Sequence, residues 1–214
     1  AYMQYSTFAA IDIGSYDVIL EIFEISKKQG IRSVDKICHR MELGKDTYTL
    51  GKIRPEMEEE LCRVLADFVR IMEGYRVDDY RAAASSAISE ASNSLYVLGK
   101  IHQLTGLSVT VLSNSEQRFL SYKALAAMED NFNKIIEKGT AILDLDGGSF
   151  QISLFDKDAL VTTQNIRMGS LRIRERLAGI QSETEHYEEM VEELIWNEVS
   201  SFKKMYLKDR KIEN

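Results

Sequence analysis

The sequence predicts an α/β protein built as two units, each opening on strands and continuing into helices. Two observations carry that expectation. Apolar residues follow a strand period between residues 7 and 41 and again after Gly139, with helical periods in between and afterwards. One short pattern, an apolar strand, Asp, an apolar residue, a glycine turn, Ser and a second strand, occurs near the start of both stretches, at Asp12 and at Asp144.

Strands are expected at residues 7–13, 18–26 and 31–41, where Val18, Leu20 and Ile22 alternate with more polar neighbours, giving a three-stranded antiparallel opening. Residues 54–75 carry Met57, Leu61, Val64, Leu65, Phe68 and Ile71 at helical spacing, with Pro55 in a first turn that tolerates it and an end near Gly74. Short apolar runs at 80–84 and 107–112 flank a helical stretch at 92–104, the alternation of parallel strands with crossover helices. A helix is expected at 115–138, strands at 140–144, 150–155 and 160–165, and helices at 170–178 and 184–207. In the last of these, Tyr187, Met190, Leu194, Val199 and Phe202 recur as a core stripe. The expected domains are 1–125 and 126–214, joined within a helix, because no Pro- or Ser-rich linker interrupts the chain and its one proline is Pro55.

With 214 residues and 44% hydrophobic content the chain can bury a substantial core. Its apolar runs, such as 141–145, fall far short of the roughly 20 residues that span a bilayer, and no basic-then-apolar leader opens it. The expectation is a soluble, cytoplasmic protein with no membrane partner. Cys38 and Cys62 have neither metal-ligand nor redox spacing and read as small apolar residues; His39, His102 and His186 likewise lack ligand spacing. A net charge of -7 argues against a broad grip on nucleic acid. An anionic ligand must then be held locally, by backbone N–H groups, a few arginines, or a divalent cation that turns carboxylates into ligands.

The two copies of the pattern offer those means. In each, glycine (Gly14; Gly147 and Gly148) lets backbone N–H donors approach a bound group, Ser15 or Ser149 adds a hydroxyl, and Asp12 or Asp144 stands where a divalent cation could be held. A lone Asp-x-Gly-Ser is equally an ordinary hairpin turn. Two copies, each opening a domain-sized half, point to a paired clamp on a chain of phosphates.

At these residues the sequence resembles the exopolyphosphatase/guanosine pentaphosphate phosphohydrolase family of the actin-like ATPase superfamily. The resemblance extends through Met41 to Lys45, Ala84-Ser85-Ser86-Ala87-Ile88-Ser89-Glu90-Ala91 with Asn93, Leu112-Ser113-Asn114-Ser115-Glu116-Gln117-Arg118, and Met168-Gly169-Ser170-Leu171-Arg172, in the family's order up to about Leu177. It implies two ribonuclease H-like domains with an interdomain cleft, the second incomplete here because the family's second domain continues further. It also implies Mg²⁺-dependent removal of a terminal phosphate from inorganic polyphosphate or guanosine pentaphosphate by water, with homodimerisation left open. The family's catalytic carboxylate falls on Glu116, or on Gln117 if no gap is allowed; an acid at Glu116 also suits an ordinary helix start. Among Arg167, Arg172, Arg174 and Arg176, Arg172 matches the motif as a phosphate ligand.

Several positions depart from the family pattern. Asp146 replaces a glycine, as a further metal ligand or as a charge opposed to phosphate; Gln151 replaces an acid, Tyr16-Asp17 replace Asn-Ser, and Ser89 replaces an arginine. Two readings therefore stand: a phosphohydrolase, or a catalytically weak or inactive sensor binding polyphosphate or a guanosine alarmone. A kinase or nucleotide switch is disfavoured for want of an adenosine-pocket motif.

Overall fold

Period-2 alternation buries one face of the opening strands. In β1 (Ser6–Ile13) the buried side chains are Ala9, Ile11 and Ile13, and in β2 (Asp17–Ser26) they are Val18, Leu20 and Ile22. The computed structural model describes residues 5–178 and 186–214. The chain divides into two units, Ala1–Ser113 and Asn114–Asn214.

In the first unit β3 (Gly30–Arg40) pairs antiparallel with β2, and β2 antiparallel with β1. On the other side of β1, β4 (Asp79–Ala84) runs parallel, and β5 (Val109–Val111) runs parallel to β4. The sheet order is β3-β2-β1-β4-β5. Between β3 and β4 lie α1 (Leu43–Leu50) and α2 (Pro55–Gly74); after β4 come α3 (Ser86–Ser89) and α4 (Ser94–Thr105). The apolar stripe of α2, with Leu61, Val64, Leu65 and Phe68, joins Ile11, Leu20, Ile88 and Ile101 in one core. Gly51 and Gly106 close α1 and α4 in the left-handed conformation, which glycine enters without a Cβ penalty.

The second unit holds α5 (Asn114–Met128), α6 (Phe132–Ile136), β6 (Thr140–Leu145), β7 (Phe150–Asp156), β8 (Ala159–Ile166), α7 (Ser170–Leu177) and α8 (Tyr187–Tyr206). Its sheet, β6-β7-β8, is antiparallel. Phe150, Ile152 and Leu154 on one face pack with Met168, Ile173, Leu177 and Phe202, and the expected stripe of α8 joins them. The last residues lie beside β6: Glu213 N–H donates to Gly139 O at 2.7 Å and Ala141 N–H to Asn214 O at 3.0 Å. The contact mirrors the first unit, where Asp78 N–H donates to Thr7 O at 3.0 Å.

Some elements differ from expectation. The division falls at Ser113/Asn114 rather than after residue 125, because α5 packs within the second unit through Ser121 and Tyr122. The single helix expected over 115–138 is broken between α5 and α6 at Glu129, Asp130 and Asn131, where Asp130 and Asn131 are residue types that favour turns over a helix interior. The Met41 to Lys45 segment of the quoted motifs leads straight into α1, an unexpected helix that Gly44 in its first turn disguised. Residues 184 and 185, the expected start of the last helix, lie outside the described residues. Among the described residues no helix is long and apolar enough to cross a membrane.

Candidate functional site

The two predicted turns close in the same way. Gly14 N–H donates to Asp17 O at 2.9 Å, and Asp146 N–H to Ser149 O at 3.0 Å. Each closure is flanked by a ladder pair, Ile13 with Val18 and Leu145 with Phe150. Equal loop lengths set Gly14 against Asp146, Ser15 against Gly147 and Asp17 against Ser149. The two serines that align in the linear pattern therefore occupy different places.

Each turn is also held by the helix that follows the third strand of its unit. Gly44 N–H at the start of α1 donates to Ser15 O at 3.0 Å. At the start of α7, Ser170 N–H donates to Asp146 O at 3.0 Å, and Leu171 and Arg172 N–H donate to Gly147 O at 3.0 and 3.1 Å. The C=O and N–H of a planar trans peptide point in opposite directions. Tying these carbonyls to the helix consequently aims the N–H groups of Tyr16, Gly147 and Gly148 away from it.

In the first turn Ser15 is buried, its Oγ 2.7 Å from Tyr48 Oη, which lies 2.6 Å from Ser86 Oγ. Helix α1 is anchored alongside by Thr47 Oγ1, which donates to Ala87 O at 2.6 Å. Tyr48 carried no signal in the sequence, since its role depends on two residues far from it in the chain. Asp12 is exposed near the end of β1. A β-carbon on Gly14, whose φ is not left-handed, would lie 3.1 Å from Asp17 O, so close approach rather than a special dihedral explains this glycine. Cys38 Sγ donates to Asp17 Oδ2 at 3.5 Å; lost hydration, then that bond, push the thiol above its ordinary range. Asn93 of the quoted motifs, and Asp46 just beyond one of them, hold backbone in place. Asn93 brackets the backbone of Ile53 with bonds of 3.0 and 2.8 Å, and the buried Asp46 receives Arg54 N–H at 2.9 Å.

The second turn gathers more polar groups. Gly147, Gly148 and Ser149 are buried. Asp146 Oδ1 accepts from Gly148 N–H at 2.5 Å and Ser149 N–H at 3.3 Å, and its Oδ2 accepts from Gln117 Nε2 at 3.3 Å. Arg172 Nε donates to Gly148 O, bracing the turn. Gly169, present in the quoted motif without an assigned role, packs on the turn so closely that a β-carbon would overlap Asp146 O, Ser149 N and Gly147 C. Of the two candidates on α5, Gln117 bonds to the turn, and Glu116 is an exposed residue of the helix's first turn, where the dipole favours an acid. Arg174 pairs with Glu175 at 2.9 Å.

Next to the turn, Ser121 Oγ donates to Asp144 Oδ2 at 2.8 Å. Across the ladder Asp144 faces Gln151, and Gln151 faces Asn165. The atoms Gln151 Oε1, Asn165 Oδ1 and Thr163 Oγ1 are buried with no hydrogen-bond partner among the described residues. Orphaned oxygens beside a carboxylate are the donor set a hard cation or an ordered water satisfies. Among the described residues no group of three or more His, Cys, Asp or Glu converges. Mg²⁺ commonly takes only one or two carboxylates and completes its shell with water and phosphate oxygens. Asp144 with Gln151 fits that habit, whereas both oxygens of Asp146 are engaged by N–H donors. Sequence reasoning missed Ser121 and Tyr48 and gave Gly169 no role.

The family model described as the Ppx/GppA phosphatase family matches residues 21–212, most of the chain. The chain belongs to the Ppx/GppA phosphatase family. Among curated relatives, it is 22% identical over 174 residues to a bifunctional 3-dehydroquinate synthase/phosphatase of Fusobacterium nucleatum, covering 78% of this chain and 26% of that protein. It is 25% identical over 144 residues to exopolyphosphatase 1 of Mycobacterium leprae, covering 67% of this chain and 41% of that protein. The Ppx/GppA family member of Aquifex aeolicus has the same fold, with a TM-score of 0.70 at 23% identity over 93% of this chain and 63% of its own. An exopolyphosphatase-like protein of known structure gives a TM-score of 0.77 at 19% identity over 94% of this chain and 62% of its own. The chain thus spans well under half of these curated relatives and somewhat under two thirds of the solved ones. Within this Ppx/GppA chain, the three histidines serve local bonds: His39 to Glu60 at 3.4 Å, His102 to Leu107 O at 3.2 Å and His186 to Glu189 at 2.9 Å.

Proposed function

We propose that this chain supplies the phosphate-binding turns of a phosphohydrolase that releases terminal phosphate from inorganic polyphosphate or guanosine pentaphosphate. The observation that carries this reading is the repeated turn. Each unit of a Ppx/GppA phosphatase chain carries a hairpin whose carbonyls are tied to a helix and whose N–H groups face away from it. Such N–H groups are suited to phosphate oxygens. Asp144, supported by Ser121 and facing Gln151, would hold a divalent cation, with Asp12 of the first unit as a second candidate. A bound cation would neutralise phosphate charge. Gly14, Ser15, Gly147, Gly148, Ser149 and Arg172 would position the phosphates, and Glu116 would orient or deprotonate the water.

A second reading, binding without turnover, is favoured by one specific observation. Gln117 of α5 bonds to the second turn, and an amide cannot accept a proton at neutral pH.

Phosphate release from polyphosphate and from guanosine pentaphosphate, with and without Mg²⁺, separates the two. Metal-dependent release lost in Glu116→Gln supports the hydrolase and its base. Release unchanged by that substitution removes Glu116 from the role. No release, with polyphosphate still raising the thermal midpoint, supports the binding protein. Release gained in Gln117→Glu would place the missing carboxylate at Gln117.

A further inference from the structure

We propose, on the reading that these turns hold phosphate, that Asp146 determines what the second turn can bind: its carboxylate occupies the place of a phosphate oxygen, and a ligand must displace it to enter.

Three observations lead there. The carbonyls of Asp146 and Gly147 are fixed on the start of α7, so the N–H groups of Gly147 and Gly148 point to the opposite side of the loop. On that side Asp146 Oδ1 collects two successive donors, Gly148 N–H at 2.5 Å and Ser149 N–H at 3.3 Å. Successive N–H groups converging on one anionic oxygen are the arrangement by which a backbone nest holds phosphate. Gln117 Nε2 holds the other carboxylate oxygen at 3.3 Å, fixing the side chain from α5. Finally, the equivalent position of the first turn, matched by its closing hydrogen bond, is Gly14, which has no side chain to place there. The first turn therefore has no side chain of its own at this position, whereas the second is filled from within.

A tethered carboxylate competes at high effective concentration, so it outcompetes weak free anions. A phosphate entering the second turn must break these charge-assisted bonds and leave the displaced carboxylate nearby, where like charge opposes it. A single phosphate gains too little to do so. A phosphate chain anchored elsewhere along its length brings its own local concentration and can, so the selected ligand class is the phosphoanhydride chain rather than inorganic phosphate.

The test is calorimetric titration of the whole chain with tripolyphosphate and, separately, inorganic phosphate, each with and without Mg²⁺. Wild type is compared with Asp146→Gly and Asp146→Asn. Asp146→Gly is expected to bind tripolyphosphate about tenfold more tightly, the worth of one released charge-assisted bond, and to gain measurable binding of inorganic phosphate. Asp146→Asn keeps an oxygen for the two N–H donors and loses only the charge, so a smaller gain is expected; it also serves if the glycine variant fails to fold. Unchanged or weaker binding by both variants, with wild type still binding tripolyphosphate, overturns the role of Asp146 and leaves the phosphate-binding reading intact. If neither wild type nor variants take tripolyphosphate, both fall.

Discussion

At Gly169 the constraint is steric and lies wholly in backbone. A β-carbon there would overlap three backbone atoms of the 146–149 turn, none of which can rotate away as a side-chain tip would. Gly169→Ala is expected to destabilise the protein by about 1–3 kcal/mol, the usual range for overpacking, read as a lower urea midpoint at unchanged slope. An unchanged midpoint would mean the turn yields freely. Tyr48 presents the complementary case. Its hydroxyl joins Ser15 to Ser86, so Tyr48→Phe should cost about 1 kcal/mol and weaken tripolyphosphate binding through a less firmly held Ser15. Stability loss without any change in binding would make the hydroxyl chain purely structural. The motif serine was visible in the sequence, but the tyrosine that holds it was not, because nothing local marks a residue whose partners lie on other elements.

Elements α2 and α4 are joined by packing and by one ion pair. Lys100 Nζ lies 2.5 Å from Oε1 of Glu58, whose side chain is 3% exposed. The hydrogen bond that Lys100 donates to Glu58, with the carboxylate's charge, outweighs the opposing loss of hydration and raises the Lys100 pKa above its ordinary value. A raised folded-state pKa contributes stability that is complete below the unfolded lysine value of about 10.4 and is lost as pH rises through the folded value. Urea midpoints should therefore fall on the alkaline side of that value, and Lys100→Met should remove this pH dependence while lowering the midpoint at neutral pH. An identical alkaline profile in wild type and variant would exclude the pair as its source. Fully buried Leu65 in the same helix tests the packing term; Leu65→Ala should cost about 2–5 kcal/mol in a denaturant titration. The stripe of α2 was legible from the sequence because its period is strong. The break between α5 and α6 was not, since Glu129-Asp130-Asn131 is compatible with an exposed helical turn until the α6 residues are required against the sheet, as Phe132 is by Phe155.

Over the whole molecule the net charge is -7, so the long-range field repels a polyanion and any grip must be local. Raising sodium chloride from about 50 to about 200 mM should weaken tripolyphosphate binding by less than about tenfold, against the steep loss seen where many cationic contacts release counterions. A loss of a hundredfold or more would reveal a basic surface and count against binding carried by backbone N–H groups. Titration calorimetry at three salt concentrations reads this directly.

By itself the sequence determined the α/β class, the order and approximate bounds of most strands and helices, and the family to which the turns at Asp12 and Asp144 belong. Those features are carried by side-chain period and by glycine in short local patterns, which act before any distant contact forms. Tertiary structure alone decided that Gly14 corresponds to Asp146 rather than to a second glycine, because the correspondence is set by which N–H closes each hairpin. It also decided that Gln117 bonds to the turn. Adjacent residues on a helix point about 100° apart, so what each one touches is fixed only when the helix docks on its sheet.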